Sequence, residues 1–182
     1  NIPLNDDGPD MDMIESLVAS DETIKGMWCV PKYANPWGCT YSAETVRRIA
    51  SLKPAAKDFR IFWDNAYVVH DLYDDAPELL DVFKACEEFG NEDRVFYFAS
   101  TSKISYPGAG VAVFAASDSN MAHIKPIMSI QTIGHDKINQ LRHVKFLKDK
   151  DVTMAHMMKH ADIMRPKFEM VNDILTRELG GL

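Results

Sequence analysis

Four short hydrophobic runs, rich in β-branched and aromatic residues, constrain the fold of this chain more than any other feature. Each run is nearly continuous rather than alternating, which is typical of strands covered on both faces of a sheet. The sequence therefore predicts strands within residues 26–33, 58–67, 94–100 and 109–117. Such strands occur in α/β folds, in which a mostly parallel sheet lies between helices.

Segments with apolar residues at helical spacing separate and follow these runs. They predict helices over residues 9–20, 42–52 and 76–90, and a wholly helical region after the fourth run that ends with a long stretch at 151–179. Ser42 is the predicted N-cap of the second helix, and Pro77 and Gly90 mark the limits of the third. The alternating order implies parallel strands, whose carboxyl ends meet at the edge of the sheet where ligands bind.

Composition narrows the class of protein. The formal net charge of -7 argues against a nucleic-acid partner, and no apolar run is long enough for a membrane span. The three cysteines fit neither a zinc site nor a disulfide framework, which favours a cytoplasmic location. His156 and His160 are four residues apart on a predicted helix, but they lack an evident third ligand, so we expect no metal site.

Three polar motifs follow predicted strands. Asn-Pro-Trp-Gly (35–38) follows the first, Asp-Asn-Ala-Tyr (64–67) ends the second, and Ser-Thr-Ser-Lys (100–103) follows the third. A lysine beside an anion site can attack a carbonyl group and form a Schiff base, although most such lysines are solvated surface charges. A carboxylate at the end of an apolar strand needs a partner, either a neighbouring amide or lysine or a protonated ring nitrogen. Together the motifs predict one shared site.

These motifs, with Pro107-Gly108 after them, resemble the fold-type I pyridoxal-phosphate enzymes, specifically the class I/II aminotransferases. The sequence between the motifs is most similar to an aminotransferase family related to the MocR group. The resemblance covers essentially the whole chain and implies an incomplete large domain of the pyridoxal-phosphate transferase type. Residues 1–150 would be the second half of that domain, and residues 151–182 the helix leading toward a small domain missing from the chain.

The resemblance also assigns catalytic roles. Lys103 would hold pyridoxal 5′-phosphate as a Schiff base and then carry the proton, and Asp64 would pair with the pyridine nitrogen. Tyr67 and Asn35 would bind the phenolic oxygen of the ring. From the residues alone, Tyr67 is equally a core-edge aromatic, and Asn35 is equally part of an ordinary turn.

The phosphate of the cofactor would be bound by Ser100 and Ser102, whose hydroxyls suit phosphate oxygens. The sequence departs from the family pattern nearby, because Gly110 stands where an arginine that pairs with the phosphate is expected. The resemblance thus implies that other residues bind the phosphate and balance its charge. Ser105 and Arg142 are candidates, although Arg142 also fits a solvated helix position.

The implied function is transfer of an amino group between an amino acid, aspartate-like or glutamate-like, and a 2-oxo acid. The resemblance implies a homodimer of the full-length protein, whereas charge and composition argue against a nucleic-acid or membrane partner. We expect no activity from the isolated 182-residue chain. Two alternatives stay open at this point. One is a non-catalytic fragment, or a regulatory or binding module, on the same fold. The other is a different fold-type I enzyme, such as a β-lyase or a decarboxylase.

Overall fold

A computed structural model describes residues 1–180, and in it the four hydrophobic runs pair side by side in one sheet. In chain order the strands are β1 (Leu4–Asn5), β2 (Gly8–Pro9), β3 (Gly26–Cys29), β4 (Arg60–Asp64), β5 (Val95–Ser100) and β6 (Ala112–Ala115). The helices are α1 (Met11–Ser20), α2 (Ala43–Ala50), α3 (Val82–Glu88), α4 (Asp118–Gln131), α5 (Lys137–Leu147) and α6 (Lys150–Leu179). β1 and β2 form a separate antiparallel pair.

The main sheet has the order β3-β4-β5-β6. β3, β4 and β5 are parallel, and β6 pairs antiparallel with β5. The predicted α/β class with a mostly parallel sheet is therefore confirmed. Each strand is shorter than the run that predicted it, because the ends of the runs lie in turns. Residues 66–69, for example, form a turn directly after β4.

One face of the main sheet forms the hydrophobic core. Its side chains Cys29, Ile61, Trp63 and Val95 are at most 1% exposed. They belong to one cluster with buried side chains of α1, α2 and α3. Full burial of a side chain of this size contributes about 1.5–3 kcal/mol to stability. The strands are therefore fixed mainly from this side.

The opposite face of the sheet carries a group of stacked aromatic rings. Trp28 stacks on Phe62 at 5.6 Å and on Phe98 at 5.9 Å between ring centroids. Trp28 is 63% exposed. The expectation that these strands are covered on both faces is thus wrong for the described residues. The runs are continuous in hydrophobicity because the second face is aromatic, and one of its rings is open to solvent.

Side-chain caps fix where the helices begin. Ser42 accepts a hydrogen bond from the Thr45 N–H at 3.1 Å, which confirms the predicted N-cap of α2. The predicted 76–90 helix begins later, at Val82, because the Asp81 carboxylate accepts hydrogen bonds from the first turn of α3. Pro77 therefore precedes the helix. No helix in the described part of the chain combines the length and the hydrophobicity that a bilayer span needs.

The chain divides into two compact units. The first comprises residues 1–67 and 77–137, and the second comprises residues 68–76 and the chain from 138 onward. Within the second unit, the Arg165 Nε donates to the Leu72 carbonyl at 2.8 Å, which holds the 68–76 segment against α6. The domain boundary expected at residue 150 stays a prediction. Positions 181 and 182 of the predicted 151–182 segment lie outside the described residues.

The histidine pair lies on α6, within the second unit. The ring centroids of His156 and His160 are 4.4 Å apart. Partial burial lowers the pKa of His160, and the neighbouring His156 lowers it further. No group of three or more His, Cys, Asp or Glu side chains within residues 1–180 is placed to hold a metal ion.

We predict that Val95→Ala lowers the free energy of unfolding by about 2 kcal/mol, because it removes two buried methyl groups and leaves a cavity. The matched change Val113→Ala, in the neighbouring strand, removes the same atoms from a side chain that is 58% exposed. It should cost no more than about 0.5 kcal/mol. Urea unfolding followed by circular dichroism measures both. Equal costs would show that Val95 is not part of the buried core.

Candidate active site

The parallel strands bring the three motifs to one edge of the sheet. The segments that follow β3, β4 and β5 all leave the sheet at its carboxyl edge, as the sequence predicts. Asp64, the last residue of β4, is in register with Phe98, and the Asn65 N–H donates to the Phe98 carbonyl at 2.9 Å. Ser100 ends β5 two residues later. The hydrogen-bond ladder therefore sets Asp64 beside the end of β5.

Lys103 lies on a tight turn after β5. The Thr101 carbonyl accepts hydrogen bonds from the Ile104 and Ser105 N–H groups, both at 2.9 Å. Ile104 is 8% exposed and anchors the turn, whereas Lys103 is exposed. The Lys103 Nζ lies 4.8 Å from the centroid of the Tyr67 ring, which is a cation–π distance. Two of the predicted catalytic residues are thus in direct contact.

Thr101 fixes the loop that carries Lys103. Its N–H donates to the Val111 carbonyl at 2.9 Å, and its Oγ1 accepts from the Val111 N–H at 2.8 Å. The Ser105 hydroxyl, one candidate for meeting the phosphate charge, donates to the Thr101 carbonyl at 3.1 Å. These two hydroxyls are therefore engaged within the loop itself.

The remaining hydroxyls of the motif belong to Ser100 and Ser102. The Ser102 N–H donates to the Ser100 Oγ at 3.4 Å, so the two residues are neighbours. Ser102 is exposed and Ser100 is half-buried. This arrangement leaves two serine side chains at the carboxyl end of β5, next to the turn of Lys103.

Asp64 is a half-buried carboxylate on the aromatic face of the sheet. Its side chain projects on the same side as Phe62, because side chains alternate along a strand. Within residues 1–180 it accepts no hydrogen bond and forms no ion pair. Partial burial of a carboxylate costs free energy unless a donor or a cation is present. Asp64 is therefore suited to receive a cationic group from a ligand.

Asn35 stands in the turn that follows β3. The turn is closed by a hydrogen bond from the Ala34 N–H to the Cys39 carbonyl at 2.9 Å, and the Asn35–Pro36 peptide bond is cis. Asn35 is exposed and lines an open cleft with Trp28 and Tyr41. Among the described residues, its side chain forms no hydrogen bond with another predicted site residue. The contact of Asn35 with the site stays a prediction.

One buried polar pair beneath the site was not predicted from the sequence. Asn65 is 4% exposed, and its Nδ2 donates to the Tyr97 hydroxyl at 2.8 Å. The pair links the end of β4 to β5, directly behind Asp64. The Asn65 Oδ1 has no hydrogen-bond partner in the described structure. The available signal was the position of an asparagine between Asp64 and the hydrophobic Ala66, where a polar side chain needs a partner.

We predict that Tyr97→Phe destabilises the fold by about 1–3 kcal/mol, because it leaves the buried Asn65 amide without its acceptor. Tyr106→Phe is the matched control, since Tyr106 is 71% exposed and water replaces its contacts. That change should stay within about 0.5 kcal/mol. Thermal and urea unfolding measure both variants. If Tyr97→Phe unfolds like the control, the Asn65–Tyr97 bond does not fix the end of β4.

Comparison with known proteins shows what this arrangement is similar to. A family model described as aspartate amino-transferase matches residues 1–182. A Mycolicibacterium smegmatis protein, whose name places it provisionally among aminotransferases, is 49% identical over 179 residues, which cover 98% of this chain and 42% of the relative. The crystal structure of an aspartate transaminase from Corynebacterium glutamicum has a TM-score of 0.94 and 43% identity, over 98% of this chain and 42% of that chain.

The fold also recurs at lower identity. An α-aminoadipate aminotransferase from Thermus thermophilus, solved in complex with N-(5′-phosphopyridoxyl)-L-leucine, has a TM-score of 0.81 at 21% identity. The match covers 98% of this chain and 44% of that one, and it shows the shared fold. The chain thus spans less than half the length of each of these three proteins.

Proposed function

Because the chain belongs to the aspartate aminotransferase family, we propose that the protein is a pyridoxal-phosphate-dependent aminotransferase. It would move an amino group between an amino acid and a 2-oxo acid. The observation that carries the proposal is the position of Lys103. Its amine lies 4.8 Å from the Tyr67 ring, at the sheet edge where Asp64 ends β4. A lysine amine that can form a Schiff base and a carboxylate that can pair with a ring nitrogen are groups that this chemistry uses.

The described residues fit the cofactor. Asp64 is half-buried and accepts no hydrogen bond within residues 1–180, so a protonated pyridine nitrogen would satisfy it. Ser100 and Ser102 lie together at the end of β5, where their hydroxyls can donate to a phosphate. Tyr67 and Asn35 would bind the phenolic oxygen of the ring. When bound, pyridoxal phosphate supplies an aldehyde that condenses with amines and a ring that accepts electrons.

Lys103 would have two roles in this proposal. Its amine would hold the cofactor as a Schiff base, and the same amine could carry a proton as a general base and acid. The turn closed by Thr101 and Ile104 keeps the lysine near the end of β5. The Tyr67 ring positions the ammonium group through its π face. Asp64 would stabilise positive charge on the ring nitrogen.

The proposed substrates are an aspartate-like or glutamate-like amino acid and its 2-oxo acid partner. The similarity to an aspartate transaminase at 43% identity supports this class. The proposal also keeps residues 1–150 as the second half of a cofactor-binding domain and residues 151–182 as the helix leading to a small domain. We also propose that the full-length protein is a homodimer.

We propose a cytoplasmic location, which the cysteines support. Cys29, Cys39 and Cys86 are all free and buried. Burial raises the pKa of the Cys29 thiol to about 12 and that of Cys86 to about 11. These thiols therefore stay protonated and unreactive near neutral pH. Structural cysteines of this kind are ordinary in a reducing compartment.

Borohydride reduction of the holoenzyme tests the role of Lys103. We expect peptide mass analysis to find one pyridoxyl group, on Lys103, and to find none on that peptide in Lys103→Ala. Lys84→Ala removes another exposed lysine, on α3, and should leave the labelling unchanged. Stable labelling of a different lysine in the wild-type protein would contradict the proposal.

In the whole protein with its cofactor bound, Asp64→Asn should lower the rate of transamination from aspartate to 2-oxoglutarate by roughly a hundredfold or more, because it removes the charge that would stabilise the protonated ring nitrogen. The cofactor should still be retained through Lys103. Asp58→Asn is the matched control, since Asp58 precedes the opposite end of β4 and pairs with Lys25 at 2.8 Å. A similar loss of transamination rate in both variants would show that Asp64 has no specific role in the site.

A further inference from the structure

Gly110 lies against Ser102. A Cβ atom built on Gly110 would come within 2.7 Å of the Ser102 Oγ, 3.1 Å of its backbone nitrogen and 3.2 Å of its Cα. Cβ contacts below 3.0 Å are essentially absent from real structures. The backbone of Gly110 is not in the left-handed region that favours glycine. Glycine at this position is therefore needed for space and not for conformation.

The closeness of Gly110 constrains the position of the Ser102 hydroxyl. Thr101 and Val111, the residues next to Ser102 and Gly110, exchange two backbone-anchored hydrogen bonds that hold the two segments together. The segments cannot separate freely to admit a side chain. The least costly response to a methyl group on Gly110 is rotation of the Ser102 hydroxyl, since this is the closest atom and turns about one bond.

We propose that Gly110 is a positioning residue for binding of the cofactor phosphate. By lacking a side chain, it lets the Ser102 hydroxyl stand beside Ser100, so that the two serines present neutral donors to the phosphate. This inference rests on the proposed function, which assigns the phosphate to Ser100 and Ser102. It also gives a physical reason for the departure from the family pattern, because an arginine at position 110 would begin with the same obstructed Cβ atom.

The experiment compares the affinities of two ligands that differ only in the phosphate. Apoenzyme is titrated with pyridoxal 5′-phosphate and with pyridoxal, and binding is followed by absorbance. Gly110→Ala should weaken pyridoxal 5′-phosphate about tenfold to a hundredfold, which is the range for one hydrogen bond to a charged group. Its affinity for pyridoxal should stay within about twofold of the wild type, since pyridoxal makes no phosphate contact.

Three further single variants and one double variant test the same contact. Gly134→Ala adds the same methyl group where no atom lies within 4 Å, so both affinities should match the wild type. Ser102→Ala should weaken pyridoxal 5′-phosphate, and adding Gly110→Ala to it should cost much less than in the wild type, because the obstructed hydroxyl is gone. Gly110→Arg should bind pyridoxal 5′-phosphate more weakly than the wild type despite its charge.

The outcomes separate this inference from the proposed function. If the wild-type protein binds pyridoxal 5′-phosphate no better than Lys103→Ala does, the proposed function fails and the inference fails with it. If the wild type binds the cofactor and Gly110→Ala matches it, only the inference is overturned. Equal weakening of both ligands by Gly110→Ala also overturns it, because the methyl group then acts on the lysine turn. Tighter cofactor binding by Gly110→Arg does the same.

Discussion

The parallel pairing of β3, β4 and β5 is the constraint on which the site depends. Parallel strands leave a sheet at a common edge, so residues far apart in sequence become neighbours. The register between β4 and β5 sets Asp64 opposite Phe98, and the bond from the Asn65 N–H to the Phe98 carbonyl extends that register one residue further. A register shift by one residue would turn Asp64 toward the core and away from the site.

One face of the sheet stabilises the fold, and the other carries Asp64 of the proposed site. The face with Ile61, Trp63 and Val95 is packed under helices and fixes the strands. The other face holds the aromatic rings and Asp64, half-buried and without a partner in the described residues. A carboxylate in such surroundings is costly by itself and stable once a cation arrives. The buried face therefore holds the strands on which Asp64 and the other residues of the proposed site lie.

Much of this arrangement could be predicted from the sequence, because it rests on local patterns. The hydrophobic runs marked all four strands of the main sheet, and Ser42 marked the start of α2. The antiparallel direction of β6 could not be read from hydrophobicity, which carries no direction. The short connection between Ser100 and Ala112 was the available signal, since a parallel crossover needs a dozen residues or more.

Other features depend on contacts between distant residues and leave no local pattern. Asn65 and Tyr97 are 32 residues apart, and their bond exists only because β4 and β5 pair. The closeness of Gly110 to Ser102 likewise follows from the antiparallel return of the chain in β6. A sequence motif shows that an arginine is absent at position 110, whereas the structure shows that a Cβ atom there would lie 2.7 Å from the Ser102 Oγ.

A crystal structure of the holoenzyme with pyridoxal 5′-phosphate tests the central claim most directly. We expect electron density that is continuous from the Lys103 Nζ to the cofactor, with the ring nitrogen within hydrogen-bond distance of the Asp64 carboxylate. The phosphate should lie beside Ser100 and Ser102. Cofactor density bonded to another lysine, or a ring nitrogen that faces away from Asp64, would contradict it.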